Sequence, residues 1–155
     1  GLKEAHEVFE ARALLEPRTA RSAAERATQA DIAALERHIE DEHAALAAND
    51  MGRALRLSGL FHIEISRIAQ QDTIARFIET LVARSSLIIA IYWRRSSALC
   101  ESHAHHALTG ALADHDGQAA EDLMRSHLVD IHSALELRET SAPPRSLRAA
   151  ILGEG

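Results

Sequence analysis

Apolar residues recur at three- and four-residue steps in successive segments along nearly the whole 155-residue chain. This spacing places the apolar side chains of each segment on one face of an α-helix. Aromatic residues make up only 3% of the chain, which favours helices packed on small and aliphatic side chains over a sheet. The sequence therefore predicts an all-α fold, an antiparallel bundle of six or seven helices.

Capping and turn residues separate the predicted helices. Thr28 and Asp72 are predicted N-caps, and Pro17 is expected to bend the first helix. The fourth helix is apolar nearly all round between Leu81 and Trp93, so we expect a central element packed on several sides. The predicted helices cover about 3–27, 28–50, 51–70, 72–95, 99–113 and 116–138.

Length and composition fit a single domain. The hydrophobic content of 46% is enough for one sizeable core. Residues 1–140 are predicted to form this helical domain, and the Ser141-Ala142-Pro143-Pro144 stretch begins a tail at 141–155. Because the chain begins Gly-Leu-Lys, we expect it to be a fragment from which an upstream part has been removed.

The charge pattern narrows the class of partner. The net charge is −6, with acids and bases interspersed and no basic stripe, so this chain alone is not expected to hold nucleic acid through phosphate contacts. The lone Cys100 cannot form an internal disulfide, and the longest apolar run, Leu87 to Trp93, is too short to span a bilayer. We therefore expect a cytoplasmic protein that does not associate with membranes.

Three of the ten histidines fall on core-facing positions of three predicted helices: His62, His105 and His127. His105 and His127 lie equally far on either side of Asp116, so an antiparallel hairpin would place them side by side. His62 stands at a similar height on its own helix. Three neutral imidazoles are a common ligand set for zinc and leave coordination positions open. The pattern predicts a site for one divalent ion, zinc first, with nickel or manganese as alternatives.

Two other interpretations of the histidines bear on this prediction. Each inward histidine can instead be satisfied separately by a carbonyl or carboxylate in the core. A ferritin-like di-iron site is disfavoured, because the Glu-x-x-His motif from Glu40 to His43 has no second copy. The remaining histidines are expected to be surface or partly exposed side chains without a metal role: His6, His38, His43, His103, His106, His115 and His132.

Several short motifs follow one another along the chain: Glu10 to Pro17, Ala23 to Thr28, Leu60-Phe61-His62, His105 with Ala111-Leu112 and Asp116, Ala119-Ala120, and Met124 to Leu128. Their order and spacing resemble the FCD ligand-binding domain at the C-terminus of FadR-type GntR transcriptional regulators. The resemblance covers nearly the whole chain. It implies an FCD-like helical fold and an N-terminal winged helix-turn-helix domain that is absent from this chain.

The resemblance also implies a ligand set, from which this chain departs at one position. In metal-binding members of that family, three histidines are joined by an aspartate four residues before the Phe-His histidine, where this chain has Ser58. Three outcomes are open: three histidines with extra waters, Ser58 or a water in place of the carboxylate, or loss of the metal. We expect the first, in which the open positions attract an anionic oxygen ligand.

Three further residues are effector-binding candidates. Arg12 occupies the position of an arginine that can help hold an effector in the family that the chain resembles. Its alternative role is a salt bridge with the nearby Glu16. Arg84 and Tyr92 lie on the fourth predicted helix, where they are candidates for lining a cavity.

Together these features predict the effector-sensing and dimerisation domain of a bacterial GntR-type regulator, which performs no chemistry. It would bind a small organic acid at the metal, form a homodimer, and reach DNA only through the missing N-terminal domain. One alternative is a metal-free domain for an apolar effector, which Ser58 keeps open. Another is a metal-dependent hydrolase or lyase, which needs a general base beside the metal. Glu64 points nearly opposite to His62 on its helix, and Asp130 can equally serve to orient an imidazole.

Overall fold

The computed structural model of the chain describes residues 2–92 and 95–139, together with Ser146 and Leu152. Six α-helices fill these two ranges, which contain no strand, so the predicted all-α fold is confirmed. The rest of the predicted tail at 141–155 lies outside the described residues. The helices are α1 (Leu2–Arg26), α2 (Gln29–Ala47), α3 (Met51–Ile68), α4 (Asp72–Tyr92), α5 (Arg95–Ala113) and α6 (Gly117–Glu139).

Side-chain caps define where several helices begin. Thr28 forms a capping box at the start of α2: its hydroxyl accepts from the amide of Asp31, and its own amide donates to the Asp31 carboxylate. Asp50 accepts from the amide of Arg53 at the start of α3. These short polar caps make the boundaries readable from sequence. Two starts differ from the prediction: Asp72 is the first residue of α4 and not the residue before it, and α5 begins at Arg95, four residues before the predicted start.

The fourth helix is not the central element that its apolar run predicts. It packs against α3, α1 and α6, while its other side leaves Phe77 61% and Leu87 59% exposed. By contrast, α1, α3 and α5 each contact four other helices of the described part of the chain. A run that is apolar all round fits a buried helix, but α4 has too few neighbours to cover every face. The prediction of a central fourth helix is therefore wrong.

Two groups of buried apolar side chains form the core, with buried polar residues between them. Along α1, for example, Phe9 belongs to one group, Ala20 to the other, and Arg12 and Glu16 lie between them. The larger apolar cluster consists of Ala20, Ala23, Ala24, Ala27, Leu35, Ile39, Phe61, Ile65, Ala69, Leu108, Ala111, Leu112, Ala120, Met124 and Leu128. The smaller apolar cluster consists of Phe9, Ala45, Leu46, Ala54, Ile89, Ile131 and Leu135.

The polar layer is the set of buried polar side chains between these clusters: Arg12, Glu16, Glu42, Ser58, His62, Ser85, Glu101, His105 and His127. All six helices contribute to it. Buried polar groups are costly unless they are paired, so a layer of this kind needs an explanation beyond packing. None of the described helices is both long and apolar enough to cross a bilayer.

Candidate metal centre

The structure brings His62, His105 and His127 together in the polar layer, from α3, α5 and α6. Each offers one ring nitrogen, and these three nitrogens lie within 4.8 Å of one another. The three side chains are almost completely buried. The ring of His62 stacks on that of His127 with 5.2 Å between centroids, and both meet the His105 ring edge to face. Neighbouring helices at matched heights thus converge as the sequence spacing predicts.

Two buried glutamates contact the Nδ1 atoms of His62 and His105. His62 Nδ1 lies 2.7 Å from Glu16 Oε1, and His105 Nδ1 lies 3.0 Å from both carboxylate oxygens of Glu42. A protonated Nδ1 that donates to a carboxylate leaves Nε2 without a proton and fixes the ring orientation. This carboxylate–imidazole arrangement is common behind histidines that bind metals.

Burial sets the protonation states of the cluster. It lowers the pKa of His62 to about 4, against the opposing effect of Glu16, and lowers the pKa of His105 to about 3. Burial also lowers the pKa of His127 well below its ordinary value. Neutral imidazole is the form that binds metal. Because these three rings are already neutral at neutral pH, metal binding does not require any of them to lose the proton of an imidazolium ion.

The two glutamates respond differently to burial. Desolvation opposes ionisation of Glu16, but Arg12 and His62 outweigh it and lower the pKa of Glu16 to about 2. For Glu42, desolvation prevails over the attraction of His38 and raises its pKa to about 7. Glu16 is therefore a stable anion behind His62, while Glu42 sits near its titration point behind His105.

The surroundings of the three Nε2 atoms show whether the cluster suits a divalent ion. His62 Nε2 and His127 Nε2 face each other at 3.3 Å. His105 Nε2 is buried and has no hydrogen-bond partner among the described residues. A buried acceptor left without a donor costs free energy, whereas an ion accepts lone pairs from all three nitrogens at once. The residues present therefore fit a divalent ion held by imidazole.

The structure places the other predicted site residues differently. Arg12 is buried and donates from Nε to Glu16 Oε2 at 2.5 Å and from Nη1 to Ser85 Oγ at 3.0 Å. The contact with Glu16 is the salt bridge that the sequence analysis gives as the alternative role of Arg12. Arg84 lies on the surface, where its Nη2 is 2.6 Å from Glu4 Oε1. The side chain of Tyr92 lies outside the described residues.

Ser58, at the position where the resembled family has aspartate, is buried and donates its hydroxyl to Glu101 Oε2 on α5. Effector binding by Arg12 and Arg84 stays a prediction.

The seven histidines expected outside the core are all exposed or partly exposed: His6, His38, His43, His103, His106, His115 and His132.

Sequence reasoning missed that three carboxylates of the polar layer are buried: Glu16, which it named only as an alternative partner of Arg12, and Glu42 and Glu101. For Glu42 a signal was present, because it fills the gap in the apolar stripe of α2 between Ile39 and Leu46. A charged residue on a core-facing position marks either a buried pair or a site. No comparable signal marked Glu101, since its partner Ser58 lies on another helix.

Neither general-base candidate belongs to the polar layer. Glu64 is partly exposed and pairs with Arg67 on the surface, and Asp130 is exposed.

Two grooves lie on α3, away from the polar layer. A groove of about 370 Å³ between α3 and α4 is lined mainly by apolar side chains, among them Leu55, Ile63 and Val82. A smaller groove of about 220 Å³, between α2 and α3, is lined by Leu35, His38 and Glu64 among others.

The sequence model of the FCD domain family matches residues 7–130. The Nta operon transcriptional regulator of Aminobacter aminovorans is 27% identical over 124 residues, which are 79% of this chain and 57% of that protein. This chain therefore spans little more than half the length of that curated relative.

Two solved structures share the fold. Streptococcus agalactiae GntR superposes with a TM-score of 0.76 at 23% identity, covering 85% of this chain and 59% of that one. E. coli McbR/YncC superposes with a TM-score of 0.80 at 20% identity, covering 88% of this chain and 70% of that one. At these identities the likeness concerns the helical fold.

Proposed function

This chain belongs to the FCD domain family, and on that premise we propose that it is the effector-sensing domain of a GntR-type transcriptional regulator. The effector is a small carboxylate, bound at a divalent ion that His62, His105 and His127 hold inside the bundle. Zinc is the first candidate for the ion, with nickel and manganese as alternatives. The domain itself carries out no reaction.

One observation carries this proposal: three buried imidazoles from three helices offer ring nitrogens within 4.8 Å of one another. Packing alone does not require three histidines at one height, because apolar side chains of similar volume would avoid the desolvation of so many polar atoms. The unpartnered Nε2 of His105 adds support, since the arrangement is incomplete without a group that accepts its lone pair.

The residues around the histidines have distinct roles in this proposal. Glu16 and Glu42 orient His62 and His105 through their Nδ1 atoms. Arg12 stabilises the Glu16 anion and ties α1 to Ser85 on α4. A bound divalent ion supplies a positive centre with positions open to an anionic oxygen. A carboxylate is the effector chemistry that suits such a centre.

Regulation would follow from the helices that the centre connects. An effector that binds one arrangement of α3, α5 and α6 better than another shifts the protein toward that arrangement. In the complete regulator, two such domains would form a homodimer, and the shift would alter the spacing of two N-terminal winged helix-turn-helix domains on DNA. The regulator would contact DNA through those domains, and the FCD domain would contact neither DNA nor a membrane.

A second candidate function has support of its own. The apolar groove between α3 and α4 has a volume of about 370 Å³, which suits a small apolar ligand. A metal-free domain of the same regulator type would use this groove. A metal-dependent hydrolase or lyase is less favoured, because Glu64 and Asp130 lie at the surface and the named sequence relative is a transcriptional regulator.

The deciding experiment measures metal per chain by elemental analysis after purification without a histidine tag. Three proteins are compared: the unchanged chain, His105→Ala, and His106→Ala. His106 is a matched control because it neighbours His105 on α5 but is exposed. We expect near-stoichiometric metal in the unchanged chain and in His106→Ala, and a loss of metal in His105→Ala.

The effector class is tested next on zinc-loaded and chelator-treated chain. Acetate, succinate and citrate serve as carboxylate probes, titrated by calorimetry with an uncharged amide of each as the control. The proposal predicts heat of binding only for a carboxylate with the zinc-loaded chain. If no metal binds even with excess zinc, nickel or manganese, the three-histidine site is wrong and the apolar groove becomes the leading candidate.

A further inference from the structure

A stripe on the outer side of α4 carries large apolar side chains that the bundle does not bury. Phe77 and Leu87 are both more than half exposed, and Thr80 and Ala83 between them are exposed as well. These four residues follow one another at steps of three and four, so they lie on one side of the helix. We call them the α4 face. An exposed apolar stripe of this kind is typical of an interaction surface.

The apolar groove between α3 and α4 continues this face and shares Ala83 and Leu87 with it. Helix α3 closely approaches α4 at Gly59, where an added Cβ atom would lie 3.0 Å from Val82 Cγ1 and 3.4 Å from Ser86 Oγ. The groove is a hollow of about 370 Å³ beside the projecting side chain of Leu87. Face and groove thus form one apolar surface with a ridge and a depression.

Opposite charges lie at the two ends of this groove, which Arg56 and Glu79 both line. A short turn joins α3 to α4, so the two helices run antiparallel. Because Gly59 meets Val82 and Ser86, Arg56 lies further along α4, near the level of Leu87. Arg56 is exposed and has no ion-pair partner among the described residues. Glu79 is at the other end, where it contacts Arg67.

We propose that the α4 face and its groove are the surface on which a second copy of this chain docks, about a two-fold axis that crosses α4 near Ala83. This inference rests on the homodimer of the proposed function but does not need the metal. In such a dimer the two α4 helices run antiparallel, and each copy contributes the same surface. Ala83 lies four residues from both Glu79 and Leu87, so the axis brings the Glu79 level of one copy to the Leu87 level of the other.

Charge complementarity favours a second copy as the occupant. An axis across α4, in the plane of the face, keeps the groove of one copy opposite the groove of the other. Arg56 of each copy, at the level of Leu87, then meets Glu79 of the other copy. Symmetry repeats the contact, so one surface forms two intermolecular salt bridges. The 3.3 Å contact with Arg67 leaves the Glu79 carboxylate with acceptor sites for a second guanidinium.

The shape of the surface suits the same axis. The axis sets Leu87 of each copy over the smaller Thr80 of the other. Ala83 is nearest to the axis, and its short side chain allows the two helices to approach closely. Large side chains opposite small ones are the pattern by which helix surfaces interlock. Shape and charge therefore both favour self-association over a flat contact with an unrelated partner.

The first test measures dimerisation of the chain by sedimentation velocity over a range of concentrations. Leu87→Glu places a charge at the ridge, and we expect dimerisation to weaken by at least about 30-fold, the effect of losing a central interface residue. Val129→Glu on α6 is the matched control, because Val129 is 55% and Leu87 59% exposed but Val129 lies outside the surface. The control should dimerise like the unchanged chain.

The second test reverses the charges to establish the orientation. Arg56→Glu and Glu79→Lys each place like charges opposite one another in their own dimers, so each should dimerise about 10-fold more weakly. In an equimolar mixture, a heterodimer of the two variants has opposite charges at both contacts. We expect the mixture to dimerise nearly as well as the unchanged chain. Damage to the fold of either variant would not be repaired by mixing.

The outcomes separate this inference from the metal proposal, which elemental analysis tests on its own. If the unchanged chain stays monomeric at about 1 mM, the inference fails, whether or not metal is bound. If Leu87→Glu dimerises like the unchanged chain, the homodimer uses another surface and the inference fails. If the charge variants do not recover on mixing, the two-fold arrangement about Ala83 is wrong. Should Leu87→Glu not fold by circular dichroism, Ala83→Glu replaces it with the same expectation.

Discussion

The polar layer and the larger apolar cluster occupy adjacent levels of the same bundle but are built on opposite principles. The apolar cluster joins small and aliphatic side chains such as Ala24, Leu108 and Leu112, all almost completely buried. The polar layer is equally buried, yet it contains carboxylates, imidazoles and a guanidinium. Each group of the layer is acceptable only through its particular partner, whereas any apolar side chain of suitable size serves in the cluster.

This difference distinguishes the apolar cluster, which stabilises the fold, from the polar layer, which contains the candidate metal site. Burial of apolar surface in the cluster stabilises the bundle, while the polar layer costs desolvation that its pairs only partly recover. A costly layer across all six helices is consistent with a binding site and hard to explain by packing. The contrast should be visible in the free energy of unfolding when single residues of either region are replaced.

Replacement of Glu16 by glutamine should have the largest effect on stability. The amide cannot balance the buried guanidinium of Arg12, and loss of one partner of a buried pair typically costs about 3–5 kcal/mol. Urea denaturation of metal-free chain measures the change. The double variant Arg12→Met, Glu16→Gln removes both charges and should recover most of the loss. A loss below about 1 kcal/mol in the single variant, typical of exposed pairs, would contradict the description of the layer.

In the larger apolar cluster, Leu112→Ala should reduce the free energy of unfolding by about 2–5 kcal/mol, because it leaves a cavity in a tightly packed region. The exposed Leu14→Ala on α1 is the control, with an expected change within about 0.5 kcal/mol. Unlike Glu16→Gln, the cavity variant should keep its zinc affinity. If Leu112→Ala folds but loses zinc binding, the larger apolar cluster and the polar layer do not act independently.

Acid should destabilise the metal-free protein through the polar layer. Unfolded histidine takes up a proton below about pH 6.5, whereas burial lowers the pKa of His62 to about 4 and that of His105 to about 3. The unfolded state therefore binds more protons, and stability falls as the pH drops from about 6.5 toward 4. At pH 5 each histidine accounts for up to about 2 kcal/mol of the loss.

Two glutamates modify this pH dependence in opposite directions. Glu42, whose pKa burial raises to about 7, takes up its proton first in the folded state and offsets part of the loss between pH 7 and 4.5. Glu16, with its pKa lowered to about 2, adds to the loss only below pH 4.5. Urea denaturation with a chelator at several pH values measures the slope. His127→Leu should reduce the slope and Leu112→Ala should leave it unchanged; equal slopes in all three proteins would contradict the prediction.

The sequence predicted the level of the histidines better than it predicted their surroundings. Positions on a helix face follow from a fixed rise and turn, so His62, His105 and His127 could be assigned to inner faces without coordinates. On α1 the three- and four-residue spacing of Val8, Ala11 and Leu15 marks one apolar face, but of these three only Val8 is buried. Ala11 and Leu15 are partly exposed, and Arg12 and Glu16 are buried. Hydrophobic periodicity cannot find an inner face that carries charge.

By itself the sequence determined the all-α class, the helix boundaries that short polar caps define, and the three histidines that share a level, since these depend on local spacing and capping. Only the tertiary structure decided that Glu42 meets His105, that Glu101 meets Ser58, and that α4 is not a central helix. Those facts depend on which helices become neighbours. Neighbours are chosen by the packing of whole faces, and no local pattern encodes the partner of a single buried charge.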